Sequence, residues 1–337
     1  MAENTVKNNS EKTDIFDRLQ AVTEWYLTRR KRIRRIKKEK QQAKNPVLDW
    51  LEAFIWAAGM VLLINQYLFQ AYQIPSGSMI DALLIGDRVF VNKIIFGPEL
   101  LPGVGKLPSP VKPRRNNVII FENPSYSSLG PAFDIAQRII YMLTLSIIDI
   151  DRDEDGQPKA HFLIKRAVGW GGDQITQEQG ELNVRFSGET RWVAERDFNE
   201  GRGFGHRISR IMEQDGYPAL EARGKIMAYR ELGLAPPALL ESAAAPVNAM
   251  RYPDLYAYDR ARLEVLRAVQ PQKNQYRAIY HARYARGWYV PEGRILPLGD
   301  NRDNSRDGRY FGPIKESKVL GKGFIIYWPL GRLGPIR

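Results

Sequence analysis

Pro75-Ser76-Gly77-Ser78-Met79 places two hydroxyls on either side of one glycine, directly after the chain's one long apolar run. Glycine permits a tight turn and the close approach of another group, and proline stiffens the way in. Either serine can therefore stand exposed at the end of a rigid element, as a nucleophile must, although the same string also describes an ordinary loop. A serine nucleophile needs a base to take its proton. Lys165 offers one, in the apolar run Phe162–Gly169. A strand lysine usually faces water and keeps its charge. Turned toward a packed site it loses hydration, its pKa falls, and the neutral amine can accept the serine proton.

A third stretch, Leu298–Gly312, holds three Asp, three Arg and two Asn in fifteen residues. It reads as a polar turn with self-neutralising charge or as a cation loop. Asp303, Ser305 and Asp307 precede Gly308 with calcium-loop spacing, but Ile314 stands at the twelfth position, where a bidentate Glu belongs. Asp151–Gly156 begins the same way and fails at Phe162. His161, His206 and His281 are scattered, and there is no cysteine, so thiolate metal sites, thiol nucleophiles and disulfides are excluded. The sequence predicts no metal and no cofactor.

These residues need elements to hold them. The chain has 337 residues and a formal net charge of +12, enough apolar content for one large or two medium domains. Ten Lys/Arg fall between Arg29 and Lys44, opposed only by Glu39. Nucleic acid, anionic lipid and a solvated helix are all open readings of such a block. Residues 1 to about 20 lack an apolar core, which predicts no cleavable secretory segment there. Trp50–Ala71 follows, an apolar run interrupted by Asn65 and Gln66. As a helix it is roughly 33 Å long, about the hydrocarbon thickness of a bilayer; a buried core helix is the alternative. The basic block ahead of it favours a membrane span with a cytoplasmic N-terminus. That assigns the block to anionic headgroups and away from nucleic acid.

Beyond the span, Asp87–Phe96, Asn117–Phe121, Phe162–Val168 and Gly323–Trp328 are short β-branched or aromatic runs, most of them bounded by Gly, Pro or Asn, the pattern of an all-β core. Residues 97–116, rich in Pro and Gly, read as an irregular loop. Ile139–Ile150 is apolar but too short for a second span; it reads as a core element, with a membrane-dipping surface as the alternative. Residues 195–286 change character: Leu255, Tyr258, Val265, Leu266 and Val269 mark a helical face, continued by Tyr276, Ile279, Tyr280 and Tyr284, with breaks at Pro236-Pro237 and Pro271. The expected organisation is a basic arm (1–48), a transmembrane helix (49–71), a β-rich core (72–194 and 287–337) and a helix-containing insertion (195–286).

Taken in order, the span, Ser76-Gly77-Ser78-Met79, Lys165-Arg166 and the Gly299–Tyr310 turn resemble bacterial type I signal peptidases, membrane-bound serine proteases that remove signal peptides. The resemblance rests on Gln73–Asn92, Phe162–Asp173 and Leu298–Gly312, and it implies a mainly β fold of signal-peptidase type. It also implies that Ser78 is the nucleophile and Lys165 the general base, with the Ser76 hydroxyl and the Ser78 amide forming the oxyanion hole. Met79 would touch substrate, Ser305 would hydrogen-bond and orient the lysine amine, Asp307 and Arg309 would brace that wall, and Arg166 and Asp300 would form a structural pair. The implied substrates are preproteins with small residues before the cut. The implied location is the bacterial cytoplasmic membrane, single-pass, with the catalytic domain outside; the oligomeric state stays open.

Two departures bear on this. The family usually continues Ser-Met-x-Pro-Thr-Leu, whereas here Asp81 and Ala82 follow Ile80. A carboxylate near Lys165 would favour the charged amine, so Asp81 is expected to point away or to be paired. The helical insertion stands where the family commonly carries a smaller β-rich cap. The competing reading is a membrane-tethered binding protein that has kept the fold without activity. Retention of Ser76, Ser78, Lys165, Ser305, Asp307 and Arg309 argues for an enzyme. A self-cleaving repressor, another Ser–Lys protease, would need a DNA-binding module where this chain has its span.

Overall fold

The structure is a computed structural model and describes residues 23–36, 45–101, 104–153, 156, 159–210, 212–245, 254–285 and 287–336. It divides into two compact units, 1–60 and 61–337. Residues 23–36 are helical and exposed, while much of the expected basic arm lies outside the described residues. The apolar helix Pro46–Leu63 has proline in its first turn and a cap from Asn45, whose Oδ1 accepts the Val47 N–H at 3.0 Å. Continued as one wider turn to Leu68, it is long and apolar enough to cross a membrane.

The expected span runs three residues too far. Phe69–Gln73 is the first strand of the sheet, paired with Arg88–Asn92. Asn65 marks the change: its Nδ2 donates to the Val61 carbonyl at 3.0 Å, and its Oδ1 accepts the Ala71 N–H at 3.4 Å.

The main sheet is antiparallel throughout, in the order Phe69–Gln73, Arg88–Asn92, Val319–Trp328, Val118–Glu122, Phe162–Trp170, Arg294–Leu298, Ile314–Lys315. Val118–Phe121 is buried without alternation because both faces of this central strand are covered. Val118 and Ile120 pack with Tyr72, Met79, Leu83 and Val89, whereas Ile119 and Phe121 pack with Phe96, Ala167, Ile295 and Val319. A second sheet, Trp288–Tyr289, Gln174–Glu178, Glu181–Arg185, Val193–Ala194, alternates normally and buries Ile175, Leu182 and Val184.

The mainly β expectation is corrected to a mixed fold with a β-rich sheet core and extra helices. Pro131–Leu143 is helical, and Ile139, Leu143, Ile147, Ile148 and Ile150 are exposed, so the core reading of Ile139–Ile150 is also overturned. Residues 97–116 contain a small hairpin, Glu99–Leu101 with Val104–Lys106. In the insertion, the helix Leu255–Val269 leaves Leu255 and Val269 exposed and buries Tyr256, Ala257, Ala261, Leu263 and Leu266. From the expected face, Leu266 is buried and Tyr258 and Val265 pack partly buried against the core, so that reading holds in part; it missed the small residues Ala257 and Ala261. Those alanines let the helix Tyr217–Glu231 approach so closely that a Cβ on Gly224 would sit 2.4 Å from the Tyr258 carbonyl oxygen.

Gly224→Val therefore forces two backbones apart. It is expected to cost about 1–3 kcal/mol, overpacking outweighing the gain from replacing a helical glycine. Thermal unfolding of the detergent-solubilised chain checks this, and an unchanged midpoint would contradict the packing.

Candidate active site

The strand Phe69–Gln73 delivers the two serines. Past its end, the Ile74 N–H donates to the Asp87 carbonyl and the Gly86 N–H donates to the Ile74 carbonyl, and Gly77–Met79 then turns tightly. Asn301 holds this turn twice. Its backbone N–H donates to the Ser78 carbonyl at 3.1 Å, and its side-chain amide donates to the Gly77 carbonyl at 3.0 Å. Glycine is required at 299 by the same approach, since a Cβ there would lie 2.5 Å from the Ser78 carbonyl oxygen and 2.2 Å from Ser305 Oγ.

Lys165 comes from the fourth residue of the strand Phe162–Trp170, opposite Ile119, and is buried. Its Nζ lies 2.6 Å from Ser78 Oγ and donates to the Ile164 carbonyl at 3.0 Å. Burial is the largest influence on the amine and pulls its pKa down to about 8, although Asp307 and Asp300 act through space in the opposite direction. At that value about a tenth of the amine is neutral at pH 7, and a neutral amine at this distance has the lone pair to take a proton from a hydroxyl. No histidine competes: among the described residues Ser78 Oγ meets only Lys165 and, at 3.4 Å, Ser76 Oγ. His206 is pushed down to about 4 by burial and Arg166.

Around the amine, each buried carboxylate has its own arginine. Asp307 takes two hydrogen bonds from the Arg309 guanidinium, at 2.9 Å and 3.1 Å, and one each from the Arg309 and Gly299 backbone N–H groups. Burial alone would raise its pKa, but the Arg309 charge and hydrogen bonds hold it below the ordinary carboxylate value. Asp300 is bound by Arg166 at 2.7 Å and 2.5 Å, and Arg166 also donates to Asn116. The bond implied between Ser305 and Lys165 is not formed: the Ser305 hydroxyl is buried against Gly299 and beside Asp307, whose pKa it helps to lower. Asp81 is exposed and 3.8 Å from the exposed Arg207, outside the amine's surroundings.

Sequence reasoning missed Asn301 as the clamp of the serine turn, and it missed Glu195. This buried carboxylate, from the insertion, pairs with Arg302 through both guanidinium ends. Its signal was the surplus of arginine over aspartate once Arg166, Asp300, Asp307 and Arg309 are paired.

Ser76, Ser78, Met79 and Lys165 line a cleft of about 380 Å³. Its walls are Tyr72–Pro75 on one side and Phe162–Ile164 on the other. Both walls are strand edges. Phe69–Gln73 ends the sheet, and Phe162–Lys165 extends past the last residue paired with Arg294–Leu298.

A family model described as signal peptidase, peptidase S26 matches residues 47–328, and the chain belongs to that family. The signal peptidase I of Haemophilus influenzae is 27% identical over 294 residues, covering 84% of this chain and 72% of the relative. That of Pseudomonas fluorescens is 26% identical, covering 86% and 76%, and that of Aquifex aeolicus 26%, covering 80% and 79%. A crystal structure of a signal peptidase I from Enterococcus faecalis V583 matches 63% of this chain at 16% identity and a TM-score of 0.24, too low to bear on the fold. The protein is a peptidase, and so a hydrolase.

Removing Arg309 tests the charge balance. Arg309→Met leaves Asp307 buried and unpaired, which is expected to cost about 3–5 kcal/mol in denaturant unfolding. The uncompensated carboxylate also favours the ammonium form of Lys165, so residual peptidase activity should need higher pH than in the parent. A midpoint moved to lower pH would contradict the assignment.

Proposed function

We propose that this chain cleaves signal peptides from exported preproteins, with Ser78 as nucleophile and Lys165 as general base. The 2.6 Å separation of Nζ and Oγ, at an amine whose pKa burial has lowered to about 8, carries this reading. The preprotein lies extended in the cleft, adding backbone hydrogen bonds along the strand edges. Ser78 attacks the scissile carbonyl as Lys165 takes its proton. Ser76 and the Ser78 amide hold the developing oxyanion, each good donor being worth about 3 kcal/mol. Lys165 then protonates the leaving amine and activates water against the acyl-enzyme. Met79, buried against the cleft, limits the space for side chains before the cut to small ones. Asp307 with Arg309 and Asp300 with Arg166 keep the amine's surroundings neutral overall.

In this reading residues 1–48 are a cytoplasmic basic arm on anionic headgroups and the following helix is a single membrane anchor. The peptidase part (72–194 and 287–337) and the insertion (195–286) lie outside the cytoplasm. A membrane-tethered binding protein without activity is the rival reading, motivated by Asp81-Ala82.

The test is cleavage of a preprotein by the purified full chain in detergent. Ser78→Ala and Lys165→Ala are each expected to abolish cleavage with thermal unfolding unchanged; a parent chain that never cuts a range of preproteins establishes the rival. In the active enzyme kcat/KM should rise about tenfold per pH unit up to a midpoint near 8 and then level, because the neutral amine is the working form. A rate independent of pH from 6 to 9 would remove Lys165 from the role.

A further inference from the structure

The insertion reaches the catalytic frame through a buried carboxylate. Glu195 opens the helix Glu195–Gly201 and is 5% exposed, yet it is not among the residues that line the substrate cleft. An ionised group taken out of water has to be paired and hydrogen-bonded. Its partner is Arg302, 107 residues further along and 1% exposed, whose two terminal nitrogens meet the two carboxylate oxygens. Apolar side chains of similar volume would stabilise a fold as well as such a pair does. An apolar pair could not, however, make the other bonds that Arg302 makes.

Those bonds run to the support of the serine turn. Arg302 Nε donates to the Gly299 carbonyl at 2.8 Å, and the Arg302 carbonyl accepts from Arg309 at 2.6 Å. The Arg302 backbone N–H donates to the Ser209 carbonyl at 3.2 Å, so the insertion holds this residue by main chain and side chain alike. Between Gly299 and Arg302 lies Asn301, whose backbone and side-chain N–H groups carry the Ser78 and Gly77 carbonyls. A continuous path therefore leads from Glu195 through Arg302 and the short turn beginning at Gly299 to Ser78. Without the carboxylate, Arg302 is a buried cation with two unpaired ends. It then gains by turning toward water and giving up the Gly299 carbonyl.

We propose that Glu195 is a positioning residue for Ser78: by fixing Arg302 it fixes residues 299–304, and through Asn301 it sets the place from which the serine hydroxyl meets Lys165. The proposal rests on Ser78 as the nucleophile of the preceding section. It gives the insertion a part in catalysis without any contact to substrate. The charges that act most strongly on the Lys165 amine are those of Asp307, Asp300 and Arg309, so losing Glu195 changes the serine's position and leaves the amine's basicity alone.

Glu195→Gln, made in the full chain and purified in detergent, keeps the size and removes the charge. With a preprotein substrate kcat is expected to fall roughly 10–100-fold, the range a misplacement of about 1 Å produces, with KM within about twofold. The midpoint of the pH profile should stay at its parental value. Hydrogen exchange followed by mass spectrometry should quicken at residues 77–83 and 299–304 and not at the central strand Val118–Glu122. Parental kcat in a less stable Glu195→Gln chain makes the pair merely structural and overturns the proposal. So does a raised KM with kcat unchanged, or a shifted midpoint with the rate recovered at high pH. If Glu195→Gln does not fold, Glu195→Leu/Arg302→Met puts apolar side chains in place of both charges, a change that buried pairs tolerate. A folded double variant that cuts slowly supports positioning, and one that cuts at the parental rate removes it. A parent chain that cuts no preprotein ends the peptidase reading, and exchange then decides the coupling alone: quickened at both turns in Glu195→Gln it stands, unchanged it falls.

Discussion

A lysine amine buried beside a serine, with no carboxylate bonded to it, is the constraint from which the rest of the site follows. Desolvation lowers the amine's pKa only as long as nearby negative charge is cancelled. Two carboxylates, Asp300 and Asp307, are buried close enough to act on it. Each is matched by a guanidinium holding it through two hydrogen bonds. Such pairs are weak evidence for stability, since taking four charges out of water costs as much as the pairing returns. Their value here is electrostatic: the wall of the site is hydrogen-bonded without imposing a net charge on the amine.

The second requirement is position. Ser78 has to reach Nζ from a turn between two strands that lie far across the sheet from Phe162–Trp170. The connection is made by the Gly299–Asn304 segment, which touches the serine turn through Asn301 and the insertion through Ser209 and Glu195. Ser209 donates to the Asp300 carbonyl and accepts the Arg302 N–H, and the Met212 N–H donates to Asp303 at 2.9 Å. The insertion is therefore bonded to the frame of the serine turn. Arg207, also from the insertion, lies 3.8 Å from Asp81, three residues past Ser78.

What could be read in the sequence follows from how local each signal is. The serine turn, the strand lysine and the Asp/Arg-rich turn were legible because each carries its chemistry within a dozen residues. The strands were legible from β-branched runs with turn residues at their ends. Ser305 was assigned a bond to the lysine from resemblance, and the side chain's place against Gly299 depends on a backbone approach that no local pattern encodes. Asn301 and Glu195 act across more than a hundred residues, so nothing beside them announces a partner. The segment Ile139–Ile150 was misread for a different reason: most of its large apolar side chains lie on the exposed side, with Met142 buried, so apolar content alone did not mark a core element. In the insertion, the large apolar residues marked part of the buried face, while the alanines and the glycine that set the close helix pairing carried no signal by size.

The pairing of Asp307 with Arg309 has a further consequence for how the protein comes into being. Ser78 and Lys165 are 87 residues apart, and the groups that neutralise their surroundings come later still, near the end of the chain. The strand Val319–Trp328 must also close the sheet between Arg88–Asn92 and Val118–Glu122 before serine and lysine face each other. Until the last strands join, the lysine is hydrated and protonated and the serine is an ordinary alcohol. The order of these elements along the chain thus ties burial of the lysine, and with it the lowered pKa of its amine, to completion of the sheet.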